Sequence, residues 1–311
     1  MQIDNRPQKT VVIVAGPTGA GKTAAAIQLA RFFQTEIISA DSRQCFRELN
    51  IGVARPSPEE LDAIPHHFIA SHSIHEKVDA VLFEQFALQK ATELFQRHDT
   101  LIMAGGTGLY IRAFCQGMDS IPAVANEIRQ AIVENYKAKG LVWLQQEIAS
   151  RDPGFYLSGE TENPQRMMRA LEVIESTGHS ILSYRTGQKA NRDFKIIRVA
   201  LDLPKADLFR NINSRVIKMM ERGLLEEVKS LYEYKELNAL QTVGYTEVFN
   251  YLDGKTSLEE AIEKIKSNSR RYAKRQVTWF KKDKGINWLD PAALGRLLEN
   301  PERVLDLETD G

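Results

Sequence analysis

Residues 10–15, TVVIVA, run directly into Gly16-Pro17-Thr18-Gly19-Ala20-Gly21-Lys22-Thr23. The first part is a short β-branched apolar run and predicts a strand buried on both faces. The second fits G-x-x-x-x-G-K-[ST], and residues 24–33 after it are rich in alanine and predict a helix. Strand, glycine loop and helix in that order form a phosphate cradle. Glycines let the backbone N–H groups turn inward at a helix N-terminus, which favours negative charge. Lys22 offers a cation to the terminal phosphate, and the Thr23 hydroxyl offers a ligand to Mg²⁺. All of Gly16, Pro17, Thr18, Gly19, Ala20, Gly21, Lys22 and Thr23 are therefore candidate residues for binding a diphosphate or a triphosphate.

Outward from the cradle, residues 36–40 (EIISA) and 100–104 (TLIMA) predict two more strands, with a helix over about 79–97 between them. Such alternation implies a P-loop NTPase-like α/β fold, a parallel sheet flanked by helices. Residues 118–189 hold no convincing strand but predict helices at 126–139, 142–150 and 164–176. Residues 194–203 (FKIIRVALDL) then restore a strand, so an all-helical domain is inserted at 117–192 into a core made of 1–116 and 193–311. Residues 206–235 and 257–284 predict long helices, and the acidic tail after Pro301 is expected to be partly mobile.

In P-loop ATPases an acid at the end of a neighbouring strand supports the metal. Here the 100–104 strand leads into Gly105-Gly106-Thr107 with no acid; the acid follows the other strand, as Asp41. Strand C-termini in open parallel sheets are where ligands bind, so Asp41 and Thr107 are expected to face the cradle. A carboxylate there can support a metal or take a proton from an incoming nucleophile.

The 311 residues carry 41 basic and 41 acidic side chains, with 43% hydrophobic and 26% charged, which excludes wholesale disorder. The neutral total conceals a stripe: residues 264–284 hold nine bases against the single acid Asp283. A confined polyanion contact is implied, not a generally sticky surface. In a helix, Arg270/Lys274 and Arg271/Arg275 are i,i+4 pairs, while Ile265, Tyr272, Gln276 and Trp279 occupy another side. Cys45 and Cys115 have neither disulfide-framework nor metal-site spacing. Residues 1–6 contain no apolar signal core, and no apolar run approaches the ~18 residues of a membrane span, so a cytoplasmic location without membrane contact is expected.

Beyond the cradle, ISADSRQ at 38–44, IGVARP at 51–56, PHHF at 65–68, AGGTGLY at 104–110 and NPQRMMRALEV at 163–173 follow in order. RVIKMMERGLLEEV at 215–228, QTVGYTE at 241–247 and RRYAKRQVTWF at 270–280 complete the series. Together these segments resemble the tRNA dimethylallyltransferase (isopentenyltransferase) family across nearly the whole chain. The resemblance implies a prenyltransferase that moves a dimethylallyl group from dimethylallyl diphosphate to N6 of the tRNA adenosine 3′-adjacent to the anticodon, with Mg²⁺ as cofactor. It implies Asp41 as general base and Lys22, Thr23, Thr107 and Arg215 around the departing diphosphate, with Thr23 the metal ligand. For the anticodon stem-loop it points to Asp41, Ser42, Arg43, Gln44, Thr107, Arg129, Gln165, Arg166, Met167, Met168, Arg169, Gly244 and Tyr245, with Arg271, Lys274 and Arg275 from the basic stripe. A monomer is expected.

Two other enzyme readings compete: a P-loop kinase acting on a small molecule, and a prenyltransferase acting on free adenine nucleotides. The absent acid after Ala104 opposes the first, and the second has little use for the insertion or the basic stripe. A non-enzymatic RNA-binding regulator is the third. His66-His67 has no third ligand nearby in sequence, so the pair is read as part of the family pattern and not as a zinc site. Cys45 is read as inert.

Overall fold

A computed structural model describes residues 8–307, so residues 1–6, read above for a signal core, lie outside it. β1 (Thr10–Ala15) is buried along its whole length. Each fully buried Val or Ile contributes roughly 1.5–3 kcal/mol, which makes this strand the anchor of the sheet. The glycine loop leads into α1 (Lys22–Phe32), followed by β2 (Ile37–Ser39), α2 (Pro58–Ala63) and the two-residue β3 (His66–His67). α3 (Ala80–Leu94), β4 (Thr100–Ala104) and α4 (Gly108–Gln116) come next.

Three helices then follow without a strand: α5 (Asn126–Arg151), α6 (Pro153–Leu157) and α7 (Pro164–Thr177). The sheet resumes with β5 (Lys195–Leu201), then α8 (Lys205–Glu221), α9 (Leu224–Ser230), α10 (Tyr245–Leu252) and α11 (Leu258–Phe280). β6 (Ile286–Leu289) and α12 (Pro291–Glu299) complete the main elements. The sheet has six strands in the order β3-β2-β4-β1-β5-β6, and every pairing is parallel. In register, Val12 sits opposite both Ile102 of β4 and Ile197 of β5.

Successive strand side chains point to opposite faces. Val11, Ile13, Leu101 and Met103 join one apolar cluster, beneath α3, α4, α10 and α11, while Val12, Val14 and Ile102 join another with α1, α8 and α12. The structure departs from the sequence reading at several places, the unforeseen strand β3 among them. The single helix expected over 206–235 is broken at Gly223, whose φ of 96° suits glycine alone, and α9 restarts there. β6 was hidden because Ile286-Asn287-Trp288-Leu289 has no clean alternation; it forms because β5 offers it an open edge. Of the tail, Pro301–Asp306 forms a 3-10 turn with Val304 fully buried, and residues 308–311 lie outside the described residues.

By its contacts the chain divides into two compact units: Gln116–Ala190, and the remainder on either side of it. The smaller unit has its own apolar core, built from Ile132, Leu144, Ile148, Phe155, Met167, Met168, Leu171 and Ile181 among others. Gly140, at φ 77° and ψ −168°, divides α5 in two. α7 begins as its sequence dictates: the Asn163 side chain accepts from the Gln165 and Arg166 N–H groups, and Pro164 needs no donor.

Candidate active site

In the larger unit, a cavity of about 1090 Å³ is lined by residues that follow the C-terminal ends of β1, β2 and β4 and by side chains of α8 and α11. Thr18, Gly19, Ala20, Gly21, Lys22 and Thr23 form one part of its wall. Gly21 precedes α1 with φ 90°, and no side chain caps the helix there, so the first-turn amides stay available to an anion. Lys22 Nζ donates to the Pro17 carbonyl at 2.8 Å. Gly16 and Pro17 are buried behind the loop and shape it without lining the cavity.

β2 ends at Ser39, which places Asp41 on the wall beside Ser42, Arg43 and Gln44. Asp41 Oδ1 accepts from the Arg43 and Gln44 N–H groups at 2.9 and 3.2 Å, a local turn that orients the carboxylate. Its other oxygen takes no hydrogen bond among the described residues. Opposite, Arg215 of α8 donates to Thr18 Oγ1 at 2.9 Å and to the Ala54 carbonyl at 3.4 Å. Gln44 Nε2 donates to the same Ala54 carbonyl and to that of Val53. The 51–54 turn is itself pinned by Glu227, whose carboxylate accepts from the Ile51 and Gly52 N–H groups and from the Tyr245 hydroxyl.

The AGGTG stretch after β4 behaves differently from the cradle. A Cβ on Gly105 would fall 2.1 Å from the Ala40 carbonyl oxygen, one on Gly106 2.3 Å from Gln276 Nε2, and one on Gly108 2.1 Å from the Trp279 ring nitrogen. These glycines admit β2 and α11 at close range. Thr107, expected at the cradle, is not on the cavity wall: its hydroxyl accepts from the Ser42 N–H at 3.0 Å and donates to Ser42 Oγ at 3.3 Å. It reaches the site through the turn that carries Asp41.

The charges inside the cavity are out of balance. Burial, then the nearby Arg215 cation, hold the Lys22 ammonium down at a pKa of about 8, against the pull of Asp41. Burial likewise lowers the Arg215 pKa, with Asp41 and Glu60 opposing. Lys22 and Arg215 crowd each other within reach of Asp41, with Glu60 acting on Arg215 as well, and an incoming anion relieves the repulsion between the two cations. Burial and the Asp41 charge push the neighbouring Cys45 thiol up to about 12, so it remains un-ionised and unreactive.

Of the remaining expected contacts, Gly244 and Arg275 line the cavity, and Tyr272 does so with the Arg275 guanidinium 5.6 Å from its ring centre. Arg271 and Lys274 lie exposed on α11, outside the wall; Lys274 covers the Phe209 ring. Tyr245 cannot stack on a base: it is fully buried and its ring fills the space beside Gly52. In the smaller unit Gln165 and Arg166 are exposed, but Met167 and Met168 are core residues of that unit and are excluded from direct RNA contact. Arg129 and Arg169 converge on the buried Glu172, at 3.8 and 3.0 Å, and Arg166 pairs with Glu160 at 3.2 Å. His66 lies on the cavity wall, and His67 Nε2 donates to Glu36 at 2.6 Å.

Sequence reasoning assigned no site role to Gln276 or Glu227. Gln276 carried a usable signal, an amide among Ile265, Tyr272 and Trp279 on the less charged side of a basic helix. Glu227 carried none, because its partners come from a turn 175 and 176 residues away.

For a hard divalent cation the wall offers oxygen donors. The Thr23 hydroxyl has no hydrogen bond among the described residues, and Asp41 has its open carboxylate oxygen. No group of three or more His, Cys, Asp or Glu among the described residues could hold a metal, so Mg²⁺ would draw most ligands from phosphate and water. No disulfide joins Cys45 and Cys115, and no described helix is long and apolar enough to cross a membrane.

Residues 44–283 match the family model described as IPP transferase. The chain is 45% identical over 286 residues to a tRNA dimethylallyltransferase of Cytophaga hutchinsonii, covering 92% of this chain and 94% of the relative. A tRNA dimethylallyltransferase of Bacteroides fragilis is 44% identical, at 91% and 94% coverage. Among solved structures, the full-length tRNA isopentenylpyrophosphate transferase of Bacillus halodurans superposes with a TM-score of 0.70 at 32% identity, covering 96% of this chain and 97% of that one. A eukaryotic dimethylallyltransferase acting on tRNA gives a TM-score of 0.79 at 26% identity, covering 97% and 81%.

Proposed function

Since this chain belongs to the IPP transferase family, we propose that it transfers a dimethylallyl group from dimethylallyl diphosphate to N6 of the adenosine 3′-adjacent to the anticodon of tRNA, releasing diphosphate. The observation that carries the reading is the cavity wall itself, where a carboxylate with one open oxygen faces two mutually repelling cations. Asp41 takes the proton from N6 as the C–N bond forms, which offsets the weak nucleophilicity of a conjugated amine. Lys22, Arg215 and the uncapped amides of α1 hold the diphosphate as the C–O bond breaks, stabilising the charge that develops on it. Arg215 presents a planar fork to phosphate, which lysine lacks. Mg²⁺, held by the Thr23 hydroxyl together with phosphate and water, would neutralise part of the leaving-group charge.

The target base leaves the anticodon stack to reach such a site. Ser42, Arg43 and Gln44 border Asp41 on the wall, which supports a role for them in recognising the edge of that base. The exposed bases Arg271, Lys274 and Arg275 on α11, and Gln165 and Arg166 on α7, supply backbone contacts. One chain provides every group invoked, in keeping with a monomer, and cytoplasmic tRNA is the substrate pool this reading requires.

Dimethylallyl diphosphate mixed with unmodified tRNA and Mg²⁺ should release diphosphate only when tRNA is present. Consumption of ATP without such release would indicate the kinase reading, and prenylation of AMP in preference to tRNA would indicate the free-nucleotide one.

A further inference from the structure

α11 sends one uncharged polar side chain into the wall between the cradle and the AGGTG loop. Gln276 is 7% exposed, and both ends of its amide are used. Oε1 accepts from the Thr18 N–H at 2.9 Å, and Nε2 donates to the Gly106 carbonyl at 2.9 Å. A glutamine is suited to this place because it donates and accepts from one planar group; a glutamate would set an acceptor against the Gly106 carbonyl. The loop is shaped around that amide, since any Cβ on Gly106 would collide with it.

Each anchored residue adjoins a group with a chemical role. The Thr18 hydroxyl accepts from Arg215, on the diphosphate side. Gly106 precedes Thr107, whose hydroxyl takes the Ser42 N–H beside Asp41, on the base side. We propose that Gln276 is a positioning residue for the transfer reaction, fixing the spacing between the diphosphate cradle and the loop that supports Asp41. Reacting groups displaced by about an ångström can lose a hundredfold in rate, so a tie between these two loops bears directly on turnover. The alternative is that Gln276 merely satisfies two buried backbone groups, in which case its loss lowers stability and leaves the folded enzyme's chemistry unchanged.

The proposal rests on the prenyl-transfer reading for its rate measurement, and wild-type transfer activity decides that reading separately. Affinity for inorganic diphosphate gives a readout that needs no transfer. Gln276→Met keeps the volume and removes both hydrogen bonds. It should retain a cooperative melt, bind tRNA as the parent does, and lose about 10- to 100-fold in kcat/KM for the prenyl donor, with weaker diphosphate binding. Gln276→Glu keeps one bond, and its activity relative to wild type should rise as pH falls, because a protonated carboxyl can again donate to Gly106. Rates per folded enzyme and diphosphate affinity within about twofold of wild type would overturn the proposal, as would a Glu variant whose relative activity is flat with pH. Failure of both variants to fold would also count against it, since a positioning role is separable from stability.

Discussion

The cavity wall and the α7 face of the smaller unit both carry arginines, but they hold them in opposite ways. Arg215 is tied to a hydroxyl and a carbonyl and has no carboxylate in direct contact among the described residues, while Lys22 spends its ammonium on a carbonyl. On the helical unit, Arg166, Arg169 and Arg129 each pair with a glutamate. The first arrangement leaves positive charge unneutralised and therefore preorganised for an anion. The second neutralises it, so an RNA phosphate must compete with Glu160 or Glu172. Under the proposed function, the first kind is expected to act on the reacting atoms and the second to adjust grip on the RNA.

The largest consequence falls on Asp41. Asp41→Asn keeps the turn to Arg43 and Gln44 but removes the base; single-turnover transfer should fall about 100- to 10,000-fold with tRNA affinity nearly unchanged. An equal loss in tRNA affinity would erase the distinction between chemistry and grip. Arg215→Ala should lower kcat about 100- to 1,000-fold, and Arg215→Lys should recover only part of it, for want of a second donor on the fork.

Lys22 gives the third test, through pH. With its pKa held down at about 8, the empty site loses its ammonium as pH rises past that value. Bound diphosphate favours the charged form and raises the pKa, so binding takes up a proton above pH 8 and affinity falls by up to about tenfold per pH unit. Calorimetry with inorganic diphosphate in buffers of different ionisation heat would register the uptake; a buffer-independent enthalpy across that range would contradict it. The smallest effects belong to the paired and exposed bases. Replacing Arg271, Lys274 and Arg275 together with glutamine should flatten the salt dependence of tRNA binding, by about 0.7 in log–log slope for each phosphate that is no longer neutralised. Arg166→Ala should weaken tRNA binding only severalfold, as expected of a charge already paired with Glu160.

Much of the core was legible because its signals are local. β1, the cradle and the α1 start need only their own residues, and Asp41 follows from where β2 ends. What stayed hidden depends on distant partners. Thr107 reads as a cradle residue until the Ser42 N–H claims its hydroxyl. The glycines of the AGGTG stretch carry no local signal for their neighbours, yet Gly105 admits Ala40 beyond β2, and Gly106 and Gly108 admit Gln276 and Trp279 from α11. Met167 and Met168 lie within a family motif between arginines, and only the packing of α5 against α7 shows that they face inward. Tyr245 follows the same rule, exposed by motif and buried by fold.

Nucleoside mass analysis of an unmodified tRNA, after incubation with dimethylallyl diphosphate, Mg²⁺ and the purified protein, tests the central claim most directly. The expected result is one added five-carbon unit on the adenosine 3′ to the anticodon with wild-type protein, and almost none with Asp41→Asn. Unaltered adenosine with wild-type protein, or equal modification by the Asp41→Asn variant, would contradict it.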